Sequence, residues 1–353
     1  MYESYAYTPR SFLKTITVAA ATAVALAIPG DAPAATPPSL AASVATPDGL
    51  LNWISRHPSN AGLAVLQDRG GSAISFGANR RYPLASTRKV LVAGALTASD
   101  DKLSQRVSRE FVERFYVPGT DGGVHKKAKL DAARPTLRQL LRAAIEVSDN
   151  ASADVLLDRV GAKAVDAWAR RQGLTDQDPI LPVFGELAAW GRDPEWAKRS
   201  PSERARRALA LAREVPAEQV RVPDVAEQRR LAAYSVAGVP AQWARLMRRI
   251  GRRGDPELVS ALDWPRRQSK RMTRRFDRFL AKGGSLPGVI TEASYVRPAR
   301  RAGTAVALFL RDLPADVEQT LQKTFAQQDL IVRLSTDAAF LERARRVLAK
   351  RKR

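Results

Sequence analysis

The chain of 353 residues is 45% hydrophobic and 27% charged, enough for one large domain or two smaller ones, and this excludes a disordered chain. Its formal net charge of +22 comes from 58 lysines and arginines against 36 aspartates and glutamates, which indicates either a compositional bias or attraction to an anionic partner. The absence of cysteine excludes disulfides, thiol nucleophiles and Cys-ligated zinc, and the two histidines, His57 and His125, lack ligand spacing, so we expect no metal and no cofactor.

Residues 1–34 have the pattern of an export signal. Two basic residues precede the apolar run TITVAAATAVALAI (15–28), and Ala32–Ala34 offers an A-x-A cleavage site. The run is short for a membrane span, although an uncleaved N-terminal anchor is an open alternative. Residues 35–47 are rich in proline, alanine, serine and threonine and predict a flexible leader. The mature protein is therefore expected to be periplasmic or extracellular.

Two short strands are predicted ahead of an unusual helix start. The helix end LLNWISRH (50–57) precedes AGLAVLQDRGGSAISFGAN (61–79), in which a turn at Asp68–Gly71 separates the strands. From Val90 onward the sequence is apolar on every side, which predicts a buried helix. A lysine at its start, Lys89, is costly to bury unless it is paired or deprotonated.

Ser86 and Lys89 form an S-x-x-K pattern at the start of this helix. Residues three apart share a helix face, and the positive end of the helix dipole favours a developing negative charge on the serine. A lysine without its hydration can become neutral near pH 7 and accept the serine's proton. The pair therefore predicts a nucleophile and its base, although the pattern alone is weak, since Ser11–Lys14 repeats it inside the export signal.

A second polar element, S-D-N at Ser148, Asp149 and Asn150, separates two helical stretches within residues 136–161. These residue types are preferred helix N-caps, so capping is one interpretation. The functional interpretation gives Ser148 a proton for a leaving group and Asn150 an amide for a substrate carbonyl. Both interpretations are compatible, because a cap also fixes the geometry of the loop.

The remainder of the chain returns from helix to strand. Residues 162–174 and 237–251 are predicted to be helical, while residues 191–230 are polar and proline-containing and predict a surface excursion. Three strands are predicted between residues 275 and 314, followed by a final helix at 340–348.

The third polar element, K-G-G, lies on the first of these three strands. Its residues are Lys282, Gly283 and Gly284, followed by Ser285. Paired glycines in a strand mark a bulge or a close approach of another backbone or ligand, and a turn between strands is the alternative.

The predicted fold class is α/β (α+β). An antiparallel sheet is built from both ends of the chain, and a helical subdomain is inserted between them. The domain boundaries are 48–350 for a single catalytic domain, with sheet at about 48–85 and 265–350 and helices at about 86–264.

The order S-x-x-K, S-D-N, K-G-G resembles the signature of class A β-lactamases and penicillin-binding proteins, in which the third motif is K-[ST]-G. The resemblance covers about residues 48–350 and implies that fold. It implies that Ser86 is the acylated nucleophile, Lys89 its base or proton relay, and Ser148 a second proton carrier. It also implies a set of substrate contacts at Asn150, Lys282, Gly284 and Ser285, with the backbone N–H groups of Ser86 and Ser285 as the oxyanion hole.

Two departures concern the substrate and the hydrolytic step. K-G-G lacks the middle hydroxyl of the family motif, so that contact is missing or is supplied by Ser285. The family's E-x-x-L-N element, which positions the deacylating water, has its nearest counterpart at Glu186, but the residues that follow are LAAW. The resemblance therefore implies Glu186 as a catalytic candidate in a loop that does not match.

The leading interpretation is an exported serine hydrolase that opens β-lactam rings through an acyl-serine and deacylates slowly. The alternatives are a penicillin-interactive D,D-peptidase or esterase with the same Ser-Lys site, and a non-catalytic envelope-binding protein. Expected partners are a β-lactam or a peptidoglycan-like acyl substrate, and anionic envelope polymers are a further candidate. We expect no nucleic acid partner and a monomer.

Overall fold

The computed structural model describes residues 43–117, 120 and 134–349. The export signal, most of the flexible leader, His125 and the end of the C-terminal basic tail lie outside these residues. No helix within the described ranges is both long and apolar enough to cross a bilayer.

Five antiparallel strands form the main sheet, in the order β2-β1-β7-β6-β5. Their bounds are β1 (Ala61–Gln67), β2 (Gly71–Phe76), β5 (Phe276–Leu286), β6 (Val289–Pro298) and β7 (Thr304–Leu310). The N-terminal hairpin joins the C-terminal meander through the pairing of β1 with β7. This confirms the predicted fold class, in which both chain ends build one sheet.

The helices cover both faces of this sheet. Before β5 they are α1 (Pro47–Arg56), α2 (Lys89–Thr97), α3 (Arg109–Glu113), α4 (Leu137–Glu146), α5 (Asn150–Val160), α6 (Ala162–Arg171), α7 (Val183–Arg192), α8 (Pro201–Glu214), α9 (Val225–Ala232), α10 (Pro240–Arg253), α11 (Pro256–Leu262), α12 (Trp264–Arg267) and α13 (Lys270–Arg275). After β7 they are α14 (Ala315–Thr324), α15 (Ala326–Thr336) and α16 (Ala338–Ala349). One apolar cluster joins the helices that follow β2 to one sheet face, and a second lies between the other face, α1 and the three C-terminal helices.

Two features differ from the sequence-based expectations in the helical parts of the chain. Two helices, α14 and α15, precede the predicted final helix; the four-residue spacing of Val317 and Leu321, both buried, is the signal that marks α14. The predicted surface excursion at 191–230 contains helices, and one face of α8 buries Ala208 and Leu211 in the core cluster beside α7.

A third difference is a second, two-stranded sheet that no pattern predicted. It pairs β3 (Tyr82–Pro83) with β4 (Ala237–Gly238). Strands of two residues carry no alternation of polar and apolar positions, so sequence periodicity cannot detect them. The pairing fixes the chain shortly before Ser86 to the segment that leads into α10.

Candidate active site

Ser86 lies on a helical turn that is pressed against the edge of the main sheet. A 3-10 helix at Ala85–Arg88 runs directly into α2 and contacts β5 and β6. Ala85 has φ +47°, a conformation that costs a non-glycine residue free energy and is concentrated at functional sites. The predicted buried helix and its serine are therefore present, and the strained residue lies directly before the serine.

Lys89 is the residue on which the S-D-N loop converges. Its side chain is buried, and Nζ donates a hydrogen bond to Asn150 Oδ1 at 2.6 Å and another to the backbone carbonyl of Ser148. The distance from Nζ to Ser148 Oγ is 3.4 Å. Burial of this lysine is thus compensated by three acceptors that the S-D-N motif supplies.

Lys282 approaches the same serine, Ser148, from the sheet. Its Nζ donates to Ser148 Oγ at 2.9 Å and to the carbonyl of Gly283 at 2.8 Å. Burial, together with the nearby charge of Lys89, lowers the pKa of Lys282 to about 7, while Glu292 acts in the opposite direction. Because Ser148 Oγ accepts from lysine, its own proton remains free to be donated elsewhere.

The S-D-N loop is both a helix cap and part of the site. Asp149 is the N-cap of α5 and accepts a hydrogen bond from the backbone N–H of Ser152 at 2.6 Å. Ser148 has φ +62°, a second strained residue at this site. Capping therefore fixes the turn that aims Ser148 and Asn150 at Lys89.

Strand β5 passes so close to the serine turn that only glycine fits at position 284. A Cβ on Gly284 would stand 2.5 Å from the backbone nitrogen of Ser86 and 2.8 Å from that of Thr87. Two threonines fasten the same contact: the hydroxyls of Thr87 and Thr291 are 2.8 Å apart, and Thr291 donates to the carbonyl of Leu84 at 2.9 Å. The K-G-G glycine thus marks a close approach within a strand, and not a turn.

We expect Gly284→Ala to lower the acylation rate while the fold is retained. Backbone atoms cannot move away as a side chain can, so the methyl group must push β5 away from Ser86, and a shift of about 1 Å can cost on the order of 10²-fold in rate. The measurement is the rate of penicillin labelling. Gly283→Ala is the matched control, because its methyl group would meet the movable end of Glu292, with Oε2 at 2.8 Å. Equal losses in the two variants would contradict this assignment.

Ser285 follows Gly284 on β5, where it pairs in register with Ile290 and is exposed. Its backbone N–H and its hydroxyl remain predicted substrate contacts. Its place beside Gly284 brings it to the part of the strand that contacts the serine turn.

Glu186 is committed to an ion pair that the sequence did not predict. Its Oε2 accepts from Arg88 Nη2 at 2.5 Å, and the two side chains are only 2% and 4% exposed. The other carboxylate oxygen, Oε1, is buried with no hydrogen-bond partner among the described residues. The structure therefore connects Glu186 to the serine turn through Arg88, and does not place it in the hydrogen-bonded group of Lys89, Ser148 and Lys282.

The helix that carries Glu186 is itself held by α5. Asp154 accepts hydrogen bonds from the backbone N–H groups of Val183 at 2.8 Å and Phe184 at 2.6 Å, at the start of α7. Burial raises the pKa of Asp154 to about 6, and the two N–H groups limit the rise. Both the start of α7 and the carboxylate of Glu186 are thus fixed in place.

Sequence reasoning missed four residues that shape the site: Thr87, Arg88, Thr291 and Glu292. The signal for Arg88 was available, because a second charged residue at a buried helix start requires an acidic partner. Glu292 pairs in register with Gly283, and burial raises its pKa to about 7, with Lys282 acting against the rise. Nothing in the pattern of β6 distinguishes Glu292 or Thr291 from ordinary strand residues.

Comparison with known proteins identifies relatives of this chain. A family model described as the Beta-lactamase enzyme family matches residues 48–338. The chain is 30% identical to the β-lactamase ROB-1 of Haemophilus influenzae over 155 residues, which is 42% of this chain and 48% of that protein. The chain therefore spans about half the length of the curated relatives that it matches.

Solved structures share the fold. A β-lactamase from Sphaerobacter thermophilus DSM 20745 superposes with a TM-score of 0.53 at 20% identity, covering 82% of this chain and 97% of that one. A mutant of PBP-A, solved as an acyl-enzyme complex with penicillin G, gives a TM-score of 0.50 at 17% identity over 80% and 95% of the two chains. At these identities the structural likeness establishes the fold alone.

Proposed function

Because this chain belongs to the beta-lactamase enzyme family, we propose that it is a serine hydrolase that opens β-lactam rings through an acyl-serine at Ser86. The observation that carries the proposal is the position of Ser148 Oγ, which is 3.4 Å from Lys89 Nζ and 2.9 Å from Lys282 Nζ. Both lysines contact this hydroxyl, so they form a path for a proton. The path begins at Lys89, the first residue of the helix that follows Ser86.

Acylation follows from this arrangement. Lys89, as a neutral amine, takes the proton of Ser86 as Oγ bonds to the lactam carbonyl carbon. The ring C–N bond then breaks, and the proton passes through Ser148 to the departing nitrogen, so that charge and atoms balance. The backbone N–H groups of Ser86 and Ser285 stabilise the oxyanion, and such preorganised donors are commonly the largest contribution in acyl transfer.

Substrate binding uses the remaining predicted residues. Asn150 offers an amide to a substrate carbonyl, and Lys282 offers a positive charge to a carboxylate while it is protonated. Gly284 has no side chain, and this allows strand β5 to lie directly beside Ser86. A lysine with a pKa of about 7 loses this charge as the pH rises through neutrality, so we propose that carboxylate binding weakens in the alkaline range.

Deacylation is proposed to be slow. It needs a water molecule and a base held beside the ester carbonyl, and Glu186, the predicted base, has one carboxylate oxygen bound to Arg88. The bond to Arg88 fixes the orientation of this carboxylate, so it is not free to turn toward a water molecule on the ester. The acyl-enzyme is therefore expected to persist for minutes or longer.

The proposed function is tested by intact-mass measurement after mixing the protein with a penicillin. A mass increase equal to that of the penicillin, which decays slowly and leaves hydrolysed product, supports the proposal. Immediate turnover with no adduct contradicts slow deacylation, and the absence of both adduct and product contradicts the serine mechanism.

We expect Glu186→Gln to leave acylation within about twofold of the parent and to slow the decay of the adduct by less than the roughly 10²–10⁴-fold that a well-placed base supplies. Intact mass followed over time gives both rates. A slowing by the full factor would show that Glu186 is well placed despite its ion pair, and no slowing would remove Glu186 from the mechanism.

A control is needed because this substitution leaves a buried arginine without its acid. Breaking a buried ion pair costs about 3–5 kcal/mol. The double variant Arg88→Gln/Glu186→Gln removes both charges, so it separates loss of stability from loss of the base. Thermal unfolding of the single and double variants completes the comparison.

A second candidate function is a penicillin-interactive D,D-peptidase or esterase that uses the same Ser-Lys site on a peptidoglycan-like acyl substrate. The Arg88–Glu186 pair favours this function, because it holds the predicted deacylating base. A penicillin that acylates Ser86 then stays on the serine as a trapped adduct. Turnover of a chromogenic cephalosporin favours the first function, and stable labelling by a fluorescent penicillin without turnover favours the second.

Export is part of the proposal. The support is the basic, apolar and A-x-A sequence of residues 1–34. A periplasmic or extracellular site of action agrees with both candidate substrates, and we propose a monomer.

A further inference from the structure

Helix α10 carries five arginines on one side, and they line an open groove. They occupy positions i, i+3, i+4, i+7 and i+8: Arg245, Arg248, Arg249, Arg252 and Arg253. The opposite side of the helix buries Trp243, Met247 and Ile250 in the core beside the sheet. The arginine side is therefore a fixed surface, because packing sets the rotation of the helix.

The charges in this groove are poorly neutralised. Arg248 lies 3.6 Å from Asp68, and Arg249 donates to the carbonyl of Arg171 at 3.3 Å and to Gln172 Oε1 at 3.1 Å. Within the part of the chain that the structure describes, the side chains of Arg245, Arg252 and Arg253 form no hydrogen bond or ion pair. Among the described residues, the five guanidinium groups thus form one ion pair, that of Arg248 with Asp68.

The geometry points to a ligand with repeated anionic groups. From Arg245 to Arg253 the helix rises about 12 Å, and residues four apart are separated by about 6 Å. At neutral pH a single phosphate carries at most two negative charges, and it can contact only one or two of these guanidinium groups. A guanidinium can donate two parallel hydrogen bonds to two oxygens of one phosphate. A row of arginines therefore favours phosphate groups as the anions of the ligand.

We propose that the α10 groove, of about 370 Å³, binds a linear polymer that carries repeated phosphate groups. This site is separate from the acylation chemistry and goes beyond the proposed function. The net charge of +22 indicated attraction for anionic envelope polymers, and this proposal assigns their binding to the α10 groove.

A lipid surface is the less favoured ligand. Peripheral membrane binding commonly combines basic residues with exposed apolar residues that enter the bilayer. Among the described residues, Val225 on α9 is the exposed large hydrophobic side chain, and it does not line the groove.

The test measures binding of the full chain to linear polyphosphate by fluorescence anisotropy at several salt concentrations. The variant Arg245→Gln/Arg249→Gln/Arg252→Gln is expected to bind about tenfold or more weakly, and the slope of log affinity against log salt should fall by about 1 for each phosphate that the variant no longer binds. Penicillin labelling of the same variant should match that of the parent. Labelling therefore tests the acylation proposal independently of polyphosphate binding.

The matched control removes the same charge elsewhere. Arg206, Arg274 and Arg346 are exposed on three other helices, and their side chains form no ion pair or hydrogen bond within the described residues. Their triple substitution to glutamine is expected to change affinity by less than about twofold. Equal weakening in both triple variants would show a net-charge effect and overturn the proposal.

Two further arms identify the ligand class. Inorganic phosphate at matched phosphate concentration is expected to compete poorly, and phosphatidylglycerol vesicles are expected to bind without dependence on the three groove arginines. Saturation by inorganic phosphate, groove-dependent vesicle binding or absence of polyphosphate binding would each overturn the proposal.

Discussion

Ser86→Ala is expected to leave no penicillin adduct on the protein, with labelling reduced on the order of 10⁶-fold, the scale on which removal of a serine nucleophile acts in a comparable hydrolase. Thr87 shares the helix start and the contact with Gly284, but its hydroxyl is fully buried and hydrogen-bonded to that of Thr291, whereas Ser86 is partly exposed. The measurement is intact mass after incubation with excess penicillin, followed by peptide mapping of the parent adduct.

Ser148→Ala is the informative control for this result. It removes the hydroxyl that lies between Lys89 and Lys282 but leaves Ser86 in place, so an adduct should still form on Ser86, at a reduced rate. Mapping of the parent adduct to Ser148, or persistence of labelling in Ser86→Ala, would reverse the assignment of the nucleophile. Thermal unfolding of both variants shows whether the fold is intact.

Motifs whose chemistry is local could be predicted from the sequence. Ser86 and Lys89 lie within one helical turn, so their spacing alone places them together. Asp149 caps α5 as its residue type predicts, and this fixes Ser148 and Asn150. The strands β1, β2, β5, β6 and β7 carry clear apolar patterns, and for this reason the sheet could be predicted from both ends of the chain.

Contacts between distant elements could not be predicted in this way. The Arg88–Glu186 pair joins residues 98 positions apart, and spacing along the chain suggested only that Glu186 stood near the expected place for a base. Its orientation depends on α7, whose start is fixed by Asp154 from another helix. Glu186 thus lies near the expected position in the sequence. Its carboxylate is bound by Arg88, a distant partner that a loop motif does not encode.

The site also stores backbone strain where chemistry is proposed. Ala85 and Ser148 are two of the five non-glycine residues with positive φ in the described chain. Ala85 directly precedes the proposed nucleophile, and Ser148 lies on the proposed proton path. Each such residue costs of order 1–3 kcal/mol unless its surroundings hold it. The threonine pair at Thr87 and Thr291, the cap at Asp149 and the close contact at Gly284 are the surroundings that hold these two turns.

Lys89→Arg is expected to lower acylation by about 10²–10⁴-fold, the contribution typical of a positioned general base. A guanidinium keeps the positive charge but stays protonated at any pH used for assay, so it cannot take the proton of Ser86. Electrostatic attraction for an anionic substrate is retained, so the loss should be found in the acylation rate constant and not in substrate affinity. Stopped-flow labelling over a range of penicillin concentrations separates the two quantities.

Lys282→Arg is the matched control, because it makes the same replacement on the other lysine that contacts Ser148. Lys282 has a pKa lowered to about 7, so in the parent its charge is present below neutral pH and is lost above it. The arginine keeps this charge at alkaline pH, and affinity for a carboxylate substrate should then stay constant where that of the parent falls. If Lys282 is the base instead, the order of the two variants is reversed: Lys282→Arg loses acylation and Lys89→Arg keeps it. Near-normal acylation in both variants would show that positive charge at Ser148, and not proton transfer through a neutral amine, is what the two lysines supply.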